Sequence, residues 1–303
     1  MKVFITGGTG FVGTVLNDAL TKMGHEVTIL TRRIKKGQKR PNGASLLEGD
    51  PTKSGHWQEK VGEHETIINL AGASIFTRWT NQAKKEIFES RILTTRHLVE
   101  SLMNSKGKVS SLLSTSAVGY YGFHGDEILS EDEGPGNDFL AQICSAWEAE
   151  ALKAERHGIR VVLCRFGIVL GRNGGALARL TSIFKNYLGA PLGSGDQWFS
   201  WIHEEDLCDI LLFLLKQKRI EGPINCTSPH PVRNKELTKT MGKALHKPTF
   251  LPNAPSFILR TILGEFANVL IKGQRVVSQK LSDSGYELTF PTLKEALEDL
   301  LRP

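Results

Sequence analysis

Along the first half of the chain, short runs of β-branched and apolar residues alternate with longer stretches whose apolar positions recur every three or four residues. Val3-Phe4-Ile5-Thr6 predicts a strand, followed at once by glycines and then by a helix from about Gly13 to Met23. Further strands are predicted at Glu26 to Leu30, Thr66 to Leu70, Ser111 to Ser114 and Arg160 to Arg165, with a helix from about Asn81 to Asn104 between the third and fourth of these five. Strands alternating with helices imply a parallel sheet covered on both faces, a doubly wound α/β arrangement with ligands at the strand carboxyl ends. After Leu170 the texture changes. Gly171, Gly174, Gly175, Gly189, Pro191, Gly193 and Gly195 punctuate a loop-rich stretch around a helix from Ala176 to Tyr187. A helix at Glu205 to Leu215 and a strand at Pro223 to Cys226 follow, and the remainder is helices and proline-rich loops. The expected plan is a nucleotide-binding core over 1–170, completed by about 200–228, with a smaller substrate lobe from 171–199 and 229–303.

Composition narrows the class without changing that plan. Across 303 residues, 40% are hydrophobic and 23% charged, which is globular rather than disordered. No stretch supplies the ~18 uninterrupted apolar residues of a membrane helix; Leu207 to Leu215 carries Asp209, and Phe257 to Ile271 is broken by Arg260 and Glu265. The start has no apolar signal segment, and Cys144, Cys164, Cys208 and Cys226 lie far apart, so a cytoplasmic protein with buried thiols and no metal is expected. A net charge of +6 spread over this length points to an anionic small ligand and away from nucleic acid or membrane; Lys35, Lys36, Lys39 and Arg40 form its one dense basic cluster.

Gly7-Gly8-Thr9-Gly10-Phe11-Val12-Gly13 leaves a strand and opens a helix. Glycine allows the tight turn, lets the backbone approach a pyrophosphate, and lets the helix pack closely on the strand, so that the free amides of the helix start meet the phosphates. In that context the glycines read as a Rossmann dinucleotide site. The second strand ends Thr31-Arg32-Arg33, with no acid to accept from a ribose 2′-hydroxyl. Guanidinium there suits a 2′-phosphate, and NADP(H) is the cofactor expected, with Thr31 adding a hydroxyl and at least one of Arg32 and Arg33 left in solvent.

With these residues in view the chain resembles the extended short-chain dehydrogenase/reductase superfamily, in its NAD-dependent epimerase/dehydratase branch. Asn69-Leu70-Ala71-Gly72 is similar to the fourth-strand motif along the adenosine ribose and phosphates. Ser114-Thr115-Ser116-Ala117 is similar to the fifth-strand motif that supplies the active-site hydroxyl, and Arg165 to Gly171 to the segment beside the nicotinamide. Ser116-Ala117-Val118-Gly119-Tyr120-Tyr121-Gly122 and Gly273-Gln274-Arg275-Val276 resemble an atypical subgroup, labelled nucleoside-diphosphate-sugar epimerase-like, whose reaction is unassigned. The resemblance implies cofactor contacts at Gly7, Gly10, Phe11, Val12, Gly13, Leu70, Ala71, Gly72, Ser114 and Ile168, and a homodimer through helices flanking the sheet. It also exposes a departure. Reductases of the superfamily use Tyr-x-x-x-Lys, the lysine lowering the tyrosine pKa; here Ile143 stands for the tyrosine and Trp147 for the lysine, and no tyrosine has lysine four residues later.

Arg91 shares a stripe with Ile87, Thr94, Leu98 and Leu102, and an inward charge needs a partner. Two readings stand: Arg91 reaches the nucleotide, steadied by Glu86, or the two form a structural ion pair. Ser116 is expected to hold a substrate oxygen, and Tyr120 is the nearest phenol to replace the missing one, with aromatic packing as the competing role. Gly174-Gly175 read as either a second anion site or a plain turn, and His203 as a hydrogen-bonded junction residue. Two functions follow: an atypical NADP(H)-dependent oxidoreductase or epimerase acting on a carbonyl, alcohol or sugar nucleotide, or a non-catalytic NADP(H) sensor.

Overall fold

The computed structural model describes residues 1–34, 43–102 and 108–302, so Lys35, Lys36, Lys39 and Arg40 lie outside the described residues. Among these, strands β1 (Lys2–Thr6), β2 (Glu26–Thr31), β3 (Ser45–Glu48), β4 (Thr66–Asn69) and β5 (Ser111–Ala117) are joined through helices α1 (Phe11–Lys22), α2 (Trp57–Val61) and α3 (Asn81–Leu102). The short strand β6 (Ile128–Leu129) and helix α4 (Phe139–Leu152) lead to β7 (Arg160–Phe166) and β8 (Ile168–Gly171). Then come α5 (Gly175–Lys185), β9 (Trp198–Phe199), β10 (Trp201–His203), α6 (Glu204–Lys216) and β11 (Gly222–Cys226). The chain finishes through β12 (Val232–Arg233), α7 (Asn234–Ala244), α8 (Ser256–Leu263), α9 (Ala267–Ile271), β13 (Arg275–Val276), α10 (Gln279–Asp283) and α11 (Leu293–Leu300).

Seven strands form one parallel sheet in the order β11-β7-β5-β4-β1-β2-β3. The sheet is buried on both faces, which is why its central strands are continuous apolar runs: Val3, Phe4 and Ile5 of β1 and Ile67 and Ile68 of β4 are all fully buried. One face packs under α1 and α6 through Leu16, Leu20, Leu207 and Leu211; the other packs under α3 through Leu98 and Leu102. In α1 the buried positions Gly13, Leu16, Asn17 and Leu20 fall on one helical stripe. The chain leaves β1 toward β2 on one side and β4 on the other, so the sheet reverses direction between β1 and β4, where such folds open a ligand crevice.

A separate apolar cluster joins α5, α7 and α11 through Leu177, Leu237, Met241 and Leu297, around Trp201 of β10. β8 pairs with β10, and β13 returns to pair with β6, which ties the C-terminal segment to the region after β5. The expected strand at Ser111 to Ser114 runs on to Ala117, carrying Ser116 within the sheet, because β7 pairs with it along its whole length. β3 had no strong signal: Ser45–Glu48 is an edge strand whose Leu46 and Leu47 are only half-buried. Among the described residues no helix is long and apolar enough to cross a membrane.

Candidate active site

The turn after β1 is shaped by contacts that leave no room for side chains. Gly7 has φ +71°, and a Cβ there would lie 2.7 Å from the Leu70 carbonyl carbon. A Cβ on Gly13 would collide with the Gly7 carbonyl oxygen, so α1 sits directly on the turn. Gly10 caps α1 with no side chain, and the first turn holds no acid. The amides of Phe11, Val12 and Gly13 therefore have no acceptor inside the helix, and its positive end is offered outward.

That end opens into a cleft of about 460 Å³ lined by Gly7, Gly10, Phe11, Val12, Gly13, Leu70 and Gly72, which continues past Arg91, Ser116 and Ile168 toward Phe76, Leu140 and Trp198. An uncapped glycine cradle next to an unpaired cation suits the phosphates of a dinucleotide. Arg91 is that cation. Its Nη1 donates to the carbonyls of Ala73 at 3.1 Å and Ile87 at 2.9 Å, its guanidinium lies 5.2 Å from the Trp147 ring, and a Cβ on Gly72 would sit 3.0 Å from its Cζ. No carboxylate pairs with it among the described residues, and burial holds its pKa below the usual arginine range. The expected Glu86 contact is corrected: Glu86 is exposed and accepts from Gln82 Nε2 at 2.8 Å. Five residues of helix turn it about 140° away from Arg91, onto the solvent side.

Ser116 lies in a buried polar network. Its hydroxyl donates to Glu148 Oε1 at 2.6 Å, and the same carboxylate receives Arg165 Nε at 2.9 Å and Nη2 at 2.8 Å. Glu148 and Arg165 are 6% and 3% exposed, so this bidentate pair is held away from water. The geometry follows from register: Ser116 and Arg165 are paired across β5 and β7, and α4 lays Glu148 over both. Because its one proton goes to Glu148, Ser116 offers lone pairs to the cleft, an arrangement that suits a donor such as a hydroxyl and not a bare carbonyl oxygen. Cys144, one helical turn before Glu148, also lines the cleft, and burial pushes its thiol up to about 11.

The phenols are committed elsewhere. Tyr121 is fully buried, donates to Asn225 Oδ1 at 2.7 Å and accepts from Arg165 Nη1 at 2.9 Å; burial raises its pKa to about 12. Tyr120 does not line the cleft. The Arg165 guanidinium stacks 3.5 Å from its ring centroid and Tyr121 meets it edge-on, so the packing reading of Tyr120 holds and the catalytic one is corrected. Trp147, where a lysine was sought, donates from Nε1 to Thr95 Oγ1 at 2.8 Å. Ser114 is also withdrawn from the cleft: it is buried between β4 and β5, accepting from Asn69 Nδ2 at 3.3 Å.

Thr31, Arg32 and Arg33 stand at the end of β2, outside the enclosed cleft, with both guanidinium groups exposed and in no ion pair among the described residues. The Thr31 hydroxyl donates to the Arg33 carbonyl at 3.4 Å. An acid does lie alongside, on the neighbouring strand: Glu48 pairs with Thr31 across β2 and β3, but its carboxylate accepts the Ile34 amide at 3.0 Å. Ala71 does not line the cleft; its amide nitrogen would lie 2.8 Å from a Cβ on Gly7. Gly174 and Gly175 open α5 against the Phe11 ring, where Cβ atoms would lie 2.5 Å and 3.0 Å from it. His203 is buried, accepts the Glu205 amide at 3.0 Å and stacks on Phe290; burial lowers its pKa to about 4, so the ring is neutral.

Residues 3–226 match the family model described as the NAD dependent epimerase/dehydratase family, and residues 254–300 match a domain of unknown function, DUF1731. An epimerase family protein SDR39U1 homolog from Arabidopsis thaliana, a chloroplastic protein, is 38% identical over 100% of this chain and 87% of its own length. The epimerase family protein YfhF of Bacillus subtilis is 37% identical over 99% of this chain and 98% of its own. The crystal structure of human epimerase family protein SDR39U1 with NADPH superposes with a TM-score of 0.86 at 32% identity, covering 99% of both chains.

Proposed function

The chain belongs to the NAD-dependent epimerase/dehydratase family, as an atypical short-chain dehydrogenase/reductase, and from that premise we propose that it is an NADP(H)-dependent oxidoreductase acting on a carbonyl or alcohol. The observation that carries this reading is the continuity of one cleft, from the uncapped glycine turn and unpaired Arg91 to Ser116. The NADPH in the human relative's structure supports the choice of cofactor.

In this reading the amides of Phe11, Val12 and Gly13 hold the pyrophosphate, Gly7 packs the turn against Leu70 and Ala71, and Arg91 adds a cation beside Gly72. Arg32 meets the 2′-phosphate at the open end while Arg33 stays in solvent, and Ile168 backs the nicotinamide. When bound, that ring supplies or takes up a hydride. Ser116, held by Glu148, accepts a hydrogen bond from a substrate hydroxyl and so orients the carbon that reacts. The Cys144 thiol keeps its proton at neutral pH and stands next to Ser116 as the group that gives it to the substrate oxygen when hydride is delivered to a carbonyl carbon; the reverse transfer starts from the thiolate. Residues 1–170 with 200–228 form the cofactor core, and 171–199 with 229–303 form the lobe that closes over it.

One observation favours a second reading: no tyrosine lines the cleft among the described residues, which suits an NADP(H) sensor that turns nothing over. Calorimetry separates cofactor from chemistry. NADPH is expected to bind more tightly than NADH, and Arg32→Ala to weaken NADPH by about 10- to 100-fold, as loss of a charge-assisted bond of 1.5–3 kcal/mol requires, with NADH unchanged. Equal loss for both would sink the 2′-phosphate assignment. Absorbance of bound NADPH, followed against aldehydes and ketones, then reports turnover; turnover that survives Ser116→Ala and Cys144→Ala unchanged would remove both from the mechanism.

A further inference from the structure

Beyond Ser116 the cleft widens into a chamber walled by Phe76, Phe123, Leu140, Trp198, Phe199 and Leu270. The polar side chains among these walls are already engaged by the protein itself. Gln197 Nε2 donates to the carbonyls of Leu192 at 3.0 Å and Leu270 at 2.7 Å, and Gln274 Nε2 donates to Val118 at 3.1 Å. Asn234 Oδ1 accepts the Leu192 amide at 2.8 Å, and Asp138 caps α4 by accepting the amides of Leu140 and Ala141. Ser200 donates to the Gln274 carbonyl at 2.8 Å and accepts the Val276 amide at 3.0 Å.

Little is left to meet a ligand. Gln197 Oε1 is buried without a partner, and Thr115 keeps one neutral hydroxyl. The first is an acceptor, of no use to a phosphate. Among the described residues that line the chamber the one cation is Lys272, which is exposed, pairs with no carboxylate and holds its Nζ 5.3 Å from the Phe123 ring. Arg179 stacks on Phe76, and Arg233 and Arg275 on Trp198, without lining the space. Arg91 is at the far end, against Gly72. A nucleoside-diphosphate sugar brings two phosphate charges and a ring of hydroxyls, and setting these against aromatic walls whose free donors are one hydroxyl and one rim ammonium costs several kcal/mol. An apolar body of similar size instead gains about 25 cal/mol for each Å² it buries.

We propose that this chamber takes an apolar, aromatic carbonyl compound or alcohol bearing one anionic group, which Lys272 meets at the rim, and that it does not take a nucleoside-diphosphate sugar. The assignment rests on the cofactor reading above, which leaves the chamber as the substrate end of the cleft.

The probe is 8-anilinonaphthalene-1-sulfonate, an aromatic body with one sulfonate, titrated by fluorescence into protein saturated with NADP+. Saturable binding is expected, weakened about tenfold by Lys272→Glu, the equivalent of 1.4 kcal/mol, and lost when Val269→Trp fills the chamber. Millimolar UDP-glucose is expected not to displace it. Displacement by UDP-glucose, or an affinity unchanged in both variants, would overturn the proposal. Lys272 is exposed, so its variant keeps the test usable if Val269→Trp does not fold. NADP+ binding is measured separately by calorimetry. If the cofactor fails to bind, the cofactor reading falls and the titration is run on the unliganded protein; if it binds and the probe ignores both variants, only the chamber assignment falls.

Discussion

Replacing Arg165 by methionine tests whether the buried network holds Ser116 in place. Arg165 gives the Glu148 carboxylate two of the three hydrogen bonds it receives, at 2.9 Å and 2.8 Å, and the remaining one comes from Ser116 at 2.6 Å. With both partners almost wholly buried, removing the guanidinium strands a charge, at an expected cost of about 3–5 kcal/mol. Glu148→Leu alone strands the guanidinium and costs a similar amount. The double variant strands neither charge; it loses the donor to Tyr121, 2.9 Å from Arg165 Nη1, and the acceptor for Ser116, 2.6 Å from Glu148, about 1–3 kcal/mol each. Each of these losses is already present in one single variant, so it cancels in the cycle. Equilibrium urea unfolding of the four proteins thus gives a coupling energy of at least about 3 kcal/mol. A double variant that loses the sum of the two single losses would show that the groups act separately, and the account of how Ser116 is oriented would go with it.

Four further outcomes are expected. Arg91→Met lowers NADPH affinity by about 10- to 100-fold, from the loss of a charged contact, while the melting temperature stays level or rises, because an unpaired and partly desolvated cation is removed; a lower melting temperature with unchanged affinity would make Arg91 purely structural. Gly13→Ala forces α1 off the glycine turn, costs about 1–3 kcal/mol from overpacking and abolishes cofactor binding by calorimetry; normal binding would mean the close packing is not needed. The folded-state pKa of His203, about 4, lies below the ordinary 6.5, so the unfolded chain takes the proton first. The resulting stability is full above pH 6.5 and falls by up to about 3 kcal/mol as the pH drops toward 4, and unfolding curves of His203→Asn should lack that part of the slope; parallel pH profiles would contradict it. Cys144→Ala is expected to slow any turnover while leaving NADPH affinity within about twofold, or 0.4 kcal/mol, which calorimetry and absorbance assays separate.

The glycine turn after β1 was legible in the sequence because its determinants are local. A strand, a glycine turn and a helix start are contiguous from Lys2 to Lys22, and the steric demands on Gly7 and Gly13 arise within that segment and from Leu70. The buried Ser116–Glu148–Arg165 network was not legible, because it is assembled from β5, β7, α4 and the segment after β5, whose register no local pattern states. One signal was available. Arg165 follows Val161-Val162-Leu163-Cys164 in a strand buried on both faces, and a charge there requires an opposite charge nearby. Glu148, an acid on the buried face of α4, was the one to look for. Cys144 and Glu148 directly follow Ile143 and Trp147, the positions where the superfamily's tyrosine and lysine would stand. Glu86 failed for a plainer reason: five residues is not a spacing that brings side chains together on a helix.

Phe11 has a consequence for exchanging parts between relatives. Its ring, in the first turn of α1, lies against Gly171, Gly174 and Gly175, where any Cβ would intrude on it. The glycine turn after β1 and the segment from Gly171 to Gly175 thus interlock like a tenon in its mortise. A chimera that swaps in a foreign segment after β8 must bring these three glycines with it, or trim Phe11 to match, before the glycine turn can sit where the native one does.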